Sequence, residues 1–211
     1  MAQIQMALDS LDFDATMALA EAVAPYVDIL EIGTPCIKYN GLKLVKALVA
    51  AHPTKTILVD LKTMDAGGYE STPFFEAGGK ITTVLGAADM STIQGVIDAA
   101  NANGAECQVD LIGVEDKAAV AKEAAGNGAQ IIGVHTGLDA QAAGQTPFAD
   151  LALIAGLGLD VKISVAGGIN KDTIQRTVQA GAAIVVVGAA IYGAPSPAES
   201  AKELRALVDA A

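Results

Sequence analysis

The chain has 211 residues, 52% of them hydrophobic and 4% aromatic, with no Trp, which suits one compact α/β domain spanning residues 1–211. Gly occurs 22 times without a three-residue period and charged residues make up 18%, so collagen, coiled coil and disorder are excluded. Acidic residues outnumber basic ones 24 to 13, for a formal net charge of −11; that field repels nucleic acid but leaves room for an anionic small molecule held by backbone N–H groups or one lysine.

The start of the chain, Met1-Ala2-Gln3-Ile4-Gln5-Met6, has no basic stretch ahead of an apolar run, and a cytoplasmic protein is expected. Short β-branched runs then recur: Ile4–Leu8, Val27–Ile32, Thr56–Leu61, Ile81–Leu85, Cys107–Ile112, Gln130–Val134, Lys162–Val165 and Ala183–Val187. Helical apolar spacing separates them, as at Leu42, Val45, Leu48 and Val49. The longest apolar β-type run, Ala182–Ile191, is well short of the roughly 20 residues of a membrane span, so no membrane association is expected.

Each βα unit takes about 25 residues, and several helices end in the same junction, Ala77-Gly78, Asn127-Gly128 and Ala180-Gly181, where Gly supplies a left-handed cap. Continuously apolar strands predict a parallel sheet covered on both faces. Eight such units predict a closed (β/α)8 TIM barrel. The turn after the first strand, Leu8-Asp9-Ser10-Leu11-Asp12, lacks the G-x-G-x-x-G of a dinucleotide-binding sheet, and no organic cofactor is expected. Cys36 and Cys107 stand far apart without a CxxC spacing and read as small buried hydrophobes.

In such a barrel chemistry gathers at the carboxyl ends of the strands. Asp9 ends the first strand, Glu31 the second, Asp60 and Lys62 the third with Asp65 beyond, Asp110 the fifth and His135 the sixth. Asp60 and Lys62, two apart on a strand, are predicted to point the same way. They could form a buried structural ion pair, but Asp9, Glu31, Asp60 and Asp65 against one Lys62 leave excess negative charge that calls for a cation. Glu31 and Asp60, on adjacent strands, make a hard-oxygen pair suited to Mg²⁺ or Mn²⁺. Zinc is disfavoured because His52, beside Pro53, reads as part of a surface turn. His135 could be a satisfied core histidine; its strand-end position favours an acid/base or substrate-binding role. The seventh and eighth strands end in Ala166-Gly167-Gly168 and Val187-Gly188-Ala189. Tight packing could account for either pair, and together they predict a phosphate site.

These residues also carry a resemblance. Asp60-Leu61-Lys62-Thr63-Met64-Asp65 matches the D-x-K-x-x-D signature of the orotidine monophosphate decarboxylase superfamily of phosphate-binding barrels. Within it, the chain resembles the 3-hexulose-6-phosphate synthase family over nearly its whole length. The match includes Met6-Ala7-Leu8-Asp9, Leu30-Glu31-Ile32-Gly33-Thr34-Pro35, His135-Thr136-Gly137-Leu138-Asp139 and Ser164-Val165-Ala166-Gly167-Gly168.

The resemblance implies aldol condensation of formaldehyde with D-ribulose 5-phosphate to D-arabino-hex-3-ulose 6-phosphate, a carbon–carbon lyase reaction through a metal-stabilised enediolate. It also implies a homodimer with shared active sites. Carried over by position, Glu31 and Asp60 would hold Mg²⁺ and Lys62 would stabilise the enediolate oxygen, with Asp9 orienting it. Asp65 would reach the neighbouring subunit's site, His135 would shuttle a proton, and Gly167, Gly168, Gly188 and Ala189 would take the phosphate. Related decarboxylases of 3-keto-L-gulonate 6-phosphate typically carry Arg where Thr136 and Ala189 stand here, and both departures favour the synthase family. A non-catalytic phosphosugar-binding barrel is the alternative from another class, though it has no need of Lys62 among carboxylates.

Overall fold

The computed structural model describes residues 1–211. In chain order the elements are β1 (Gln3–Leu8), α1 (Phe13–Val23), β2 (Ile29–Ile32), α2 (Thr34–Ala51), β3 (Thr56–Thr63), α3 (Gly67–Glu76), β4 (Ile81–Leu85), α4 (Met90–Ala102), β5 (Glu106–Asp110), α5 (Lys117–Gly126), β6 (Ile131–His135), α6 (Leu138–Ala142), α7 (Phe148–Ala155), β7 (Lys162–Ala166), α8 (Ile174–Gln179), β8 (Ile184–Val187), α9 (Ala189–Tyr192) and α10 (Pro197–Asp209). The strands run parallel and close in sequence order, β8 returning to β1. The eight expected strands are all present, and the TIM barrel is the fold.

The residue alternation of each strand builds the interior in layers. Ile29, Ile81, Ile131 and Ile184 of the even strands form an apolar floor, joined by Leu58. Above it the odd strands contribute Gln5, Leu58, Gln108 and Ser164, and the register then brings in Glu31, Thr83, Gly133 and Val186. The next tier is Ala7, Asp60, Asp110 and Ala166. Polarity therefore rises from the amino-terminal floor to the carboxyl-terminal mouth. The opposite faces of the same strands present Ile4, Met6, Leu30, Ile57, Val59, Cys107, Val109, Ile132, Val165 and Val185 to the helices, in one continuous core.

Local chemistry sets the boundaries. Asp12 caps α1 by accepting the N–H of Ala15 at 2.7 Å, and Asp116 caps α5 by accepting that of Ala119 at 2.9 Å. Gly78, Gly128 and Gly181 have φ of +103°, +96° and +105°, the left-handed helix ends that the repeated junction predicts. Strand β5 stops at Asp110, two residues short of the expected Ile112, because the Asp110 carboxylate turns back to accept the N–H of Ile112 at 2.9 Å. His52 departs from its expected surface position: it follows α2 with 8% of its surface exposed. Cys36 and Cys107 are buried free thiols, in agreement with the expectation of small buried hydrophobes. No helix is long and apolar enough to cross a membrane.

The isoleucine floor closes the barrel by packing alone. Replacing fully buried Ile131 by Ala should cost about 2–5 kcal/mol of unfolding free energy, read as a lower denaturant midpoint at unchanged slope.

Candidate active site

A cavity of about 870 Å³ opens at the carboxyl ends of the strands, lined by residues that include Asp9, Glu31, Asp60, Lys62, Asp110 and His135. Its size suits a small metabolite. The sequence-predicted groups Asp9, Glu31, Asp60, Lys62, His135, Gly167, Gly168, Gly188 and Ala189 all line this one space, and Asp65 does not.

Asp60 is the hub. Its Oδ2 accepts hydrogen bonds from Lys62 Nζ and Thr34 Oγ1, each at 2.5 Å, and its Oδ1 accepts one from Thr83 Oγ1 at 2.7 Å. Lys62 Nζ also lies 3.4 Å from Asp110 Oδ2. The same Asp110 oxygen is 2.8 Å from His135 Nδ1, so a chain of alternating charge runs Asp60, Lys62, Asp110, His135. Asp110 was visible in the sequence only as a strand-end acid without a role, and here it joins the ammonium to the imidazole. Asp9, expected to orient Lys62, makes no hydrogen bond or ion pair with it. Asp60 and Asp110 hold the ammonium instead.

Lys62 does not reach Asp60 by regular strand alternation. Its φ is +48°, a left-handed conformation that costs a non-glycine residue about 1–2 kcal/mol, and the β3–β4 register shifts between Val59 and Thr63. Ala66, with φ +51°, is the second such residue, and the Lys62–Ala66 turn between them carries Asp65 outward. Gly67 then seats α3 tightly on α4, for a Cβ there would lie 2.1 Å from the Thr92 carbonyl oxygen. Asp65 is exposed and accepts only the N–H of the adjacent Ala66, at 2.7 Å. Nothing in its own chain draws it to the cavity.

The surroundings tune each group. Burial disfavours the Lys62 ammonium, but the charges of Asp60 and Asp110 outweigh it and hold its pKa above the ordinary value. Burial likewise opposes the His135 imidazolium, and the hydrogen bond and charge of Asp110 prevail, raising its pKa. Burial would raise that of Asp110, yet the hydrogen bond and charge of His135, with Lys62, bring it down. Asp9 is raised by burial and by Asp60. Glu31, 9% exposed, is pushed to about 8 by burial and the nearby Asp60 charge, with only the Gln5 amide, 2.6 Å away, donating to its Oε2.

That environment bears on the expected metal. Four acids, Asp9, Glu31, Asp60 and Asp110, face two bases, Lys62 and His135, and Glu31 is a buried carboxylate with a single neutral partner. Glu31, without a cationic partner of its own, and Asp60 on the neighbouring strand are hard-oxygen groups that fit a divalent cation completing its shell with substrate and water. Nowhere does the chain gather three His, Cys, Asp or Glu side chains to enclose a metal by themselves. Glu31 and Asp60 are the residues that would hold it.

The opposite wall is built from the ends of β7 and β8. Gly167 and Gly168 have φ of +119° and +69°, and a Cβ on Gly167 would come within 2.6 Å of the Thr136 carbonyl oxygen. The backbone N–H groups of Gly167, Gly168, Ile169, Gly188, Ala189 and Ala190 make no hydrogen bond within the chain, and all six residues line the cavity. Unpaired amides gathered at one wall suit a phosphate. Gln5, Gln108, Thr34, Thr83 and Ser164 were not singled out from the sequence. The barrel's two-residue alternation was the signal that could have found all but Thr34, which opens α2.

A parallel eight-stranded barrel with a lysine held among carboxylates at the carboxyl ends of its strands has the layout of a TIM-barrel enzyme. Residues 2–204 match the "Orotidine 5'-phosphate decarboxylase / HUMPS family", and the chain belongs to that family and is an enzyme of lyase type. It is 66% identical over 207 residues to 3-hexulose-6-phosphate synthase of Methylomonas aminofaciens, covering 98% of this chain and 99% of that one. The solved structure of 3-hexulose-6-phosphate synthase from Salmonella typhimurium superimposes with a TM-score of 0.96 at 38% identity, covering 99% of each chain. That of 3-keto-L-gulonate-6-phosphate decarboxylase from Vibrio cholerae O1 biovar El Tor gives 0.88 at 30%, covering 99% of this chain and 98% of that one.

The His135–Asp110 pair makes stability depend on pH in a defined direction. With the His135 pKa raised above 6.5 and that of Asp110 lowered below 3.8, the pair stabilises the fold fully between those two ordinary values. Its contribution is lost as pH rises through the raised His135 value, and again as pH falls through the lowered Asp110 value. Asp110→Asn should remove this dependence and lower the His135 pKa below that of the wild type, as followed by NMR titration of the imidazole.

Proposed function

We propose that the chain condenses formaldehyde with D-ribulose 5-phosphate to D-arabino-hex-3-ulose 6-phosphate. The observation that carries this reading is the arrangement of the cavity: Lys62, kept as an ammonium by Asp60 and Asp110, at one side, and unpaired amides from the ends of β7 and β8 at the other. The high identity to a synthase of that name supports it. So does the absence of a cationic side chain at Ala189, which stands in the phosphate wall where the decarboxylases of this superfamily typically place an Arg.

The phosphate is received by the Gly167–Ile169 and Gly188–Ala190 amides, which fixes the pentulose chain across the mouth. His135, with Nδ1–H donated to ionised Asp110, offers Nε2 as the base that takes the C1 proton of the ketose. The C1–H electron pair becomes the enediolate, and Lys62 places a positive charge where its negative charge develops. C1 then attacks the formaldehyde carbon, the carbonyl π pair moves to oxygen, and the imidazolium returns the proton there. The C1 proton ends on the new primary hydroxyl, so the reaction is balanced without a Schiff base. A divalent ion held by Glu31 and Asp60, Mg²⁺ or Mn²⁺, would add Lewis-acid stabilisation of the enediolate oxygens.

The active unit in this reading is a homodimer. Asp65 and Met64 just before α3, and Tyr69 in its first turn at 87% exposure, are all exposed, and exposed apolar side chains near an outward carboxylate in the chain suit a surface that joins a second copy and lends Asp65 to its site.

Purified protein should consume ribulose 5-phosphate only with formaldehyde present, form a hexulose phosphate, and stop when excess chelator removes the divalent ion. Release of CO₂ from 3-keto-L-gulonate 6-phosphate without formaldehyde-dependent synthesis would move the assignment to the decarboxylase. Lys62→Ala should lower kcat/KM by about 10²–10³-fold or more. Mixing Lys62→Ala with Asp65→Ala protein under subunit exchange should recover activity that neither homodimer has; no recovery after verified exchange would argue for self-contained sites.

A further inference from the structure

We propose that Thr83 is a positioning residue for this reaction, whose hydroxyl sets the Lys62 backbone and the Asp60 carboxylate in their working geometry. The kinetic part of the proposal rests on the synthase reading above; the contact itself does not.

Strands β3 and β4 pair regularly as far as Val59 with Thr82, and pairing resumes at Thr63 with Val84. Four steps along β3 thus match two along β4, and the surplus forms a bulge that contains both Asp60 and Lys62. A bulge removes ladder partners, so the Lys62 N–H needs an acceptor. Thr83 Oγ1 supplies it at 2.9 Å and passes its own hydrogen to Asp60 Oδ1 at 2.7 Å. Thr83 is only 1% exposed, leaving little access for water to take its place.

One hydroxyl therefore does two things. As an acceptor it holds the left-handed backbone that swings Lys62 over Asp60; as a donor it fixes Asp60 Oδ1, while Thr34 and Lys62 occupy Oδ2. With both oxygens held, the carboxylate plane cannot rotate. Valine has the shape of threonine with neither hydrogen-bonding function, whereas serine keeps both and drops only the methyl.

Three variants of one position separate positioning from packing. Thr83→Val should lower kcat by about 10–100-fold while the KM for ribulose 5-phosphate stays within about threefold, because the phosphate wall belongs to β7 and β8. Thr83→Ser should keep kcat within about threefold of wild type. Thr83→Val should also bind Mn²⁺ alone about tenfold more weakly, read by electron paramagnetic resonance, since Asp60 loses its orientation. In the wild type, NMR hydrogen exchange should find the Lys62 amide protected although it bonds to no backbone carbonyl. A kcat for Thr83→Val within threefold of wild type, or a loss in Thr83→Ser as large as in Thr83→Val, would overturn the proposal. So would a freely exchanging Lys62 amide. If wild-type protein lacks synthase activity, that reading fails by itself, and amide exchange with Mn²⁺ affinity still decides the role of Thr83. If Thr83→Val does not fold, the wild-type amide and Thr83→Ser decide it.

Discussion

The carboxylate of Asp60 is the constraint on which the site depends. A buried carboxylate is tolerable only when its oxygens are paired, and here three donors converge on it from β3, the start of α2 and β4. The ammonium meets Oδ2 from a bent backbone, with Lys62 left-handed inside the β3–β4 register shift. The cost of a left-handed lysine is offset by a charge-assisted hydrogen bond in a poorly hydrated place. The strain at Lys62 and the pairing of Asp60 are thus one feature, and Lys62 Nζ is fixed in the mouth as a result.

The second organising element is the ordering of charge across the mouth. Asp110 stands between Lys62 and His135, and its charge raises the pKa of both against the opposing effect of burial. Glu31 has no such cation and rises to about 8 under the combined effect of burial and Asp60. The imbalance is local, at the β2–β3 side of the mouth, while the β7–β8 side is neutral and rich in unpaired N–H groups. In the proposed reaction these two sides would meet the polyhydroxylated carbonyl end and the anionic end of the phosphosugar.

Much of this was legible in the sequence for physical reasons. Strands buried on both faces must be continuously apolar, so the runs of Val and Ile marked all eight, and an interrupting polar residue at a run's end had to face the mouth. What could not be read was convergence. Strands β3 and β5 are two places apart in the barrel, and nothing in the spacing of Lys62 and Asp110 says that their side chains meet at 3.4 Å. Asp9 was expected to orient Lys62 on the strength of the resemblance alone, and the ion pairs to the ammonium come from Asp60 and Asp110 instead. The backbone at Lys62 was hidden differently: strand alternation and a left-handed bulge both place it beside Asp60, and only the register tells them apart. His52 looked solvent-facing because Pro53 follows it, yet its place at the end of a packed helix buries it.

The layers explain why chemistry is confined to one end of so apolar a chain. Moving up the barrel, the isoleucine floor gives way to Gln5, Gln108 and Ser164, then to Glu31 and Thr83, then to Asp60 and Asp110. Each tier has to satisfy the polar groups of the one above: Gln5 donates to Glu31 and Thr83 donates to Asp60. The amide and the hydroxyl are therefore the transition between a core that only packs and a mouth that carries charge. Gly133 in the same tier contributes no side chain, and a Cβ there would lie 3.1 Å from the Gln108 amide nitrogen. A larger residue at that point would fill the cavity from below, and glycine on β6 keeps open the space over which Asp60, Lys62, Asp110 and His135 are arranged.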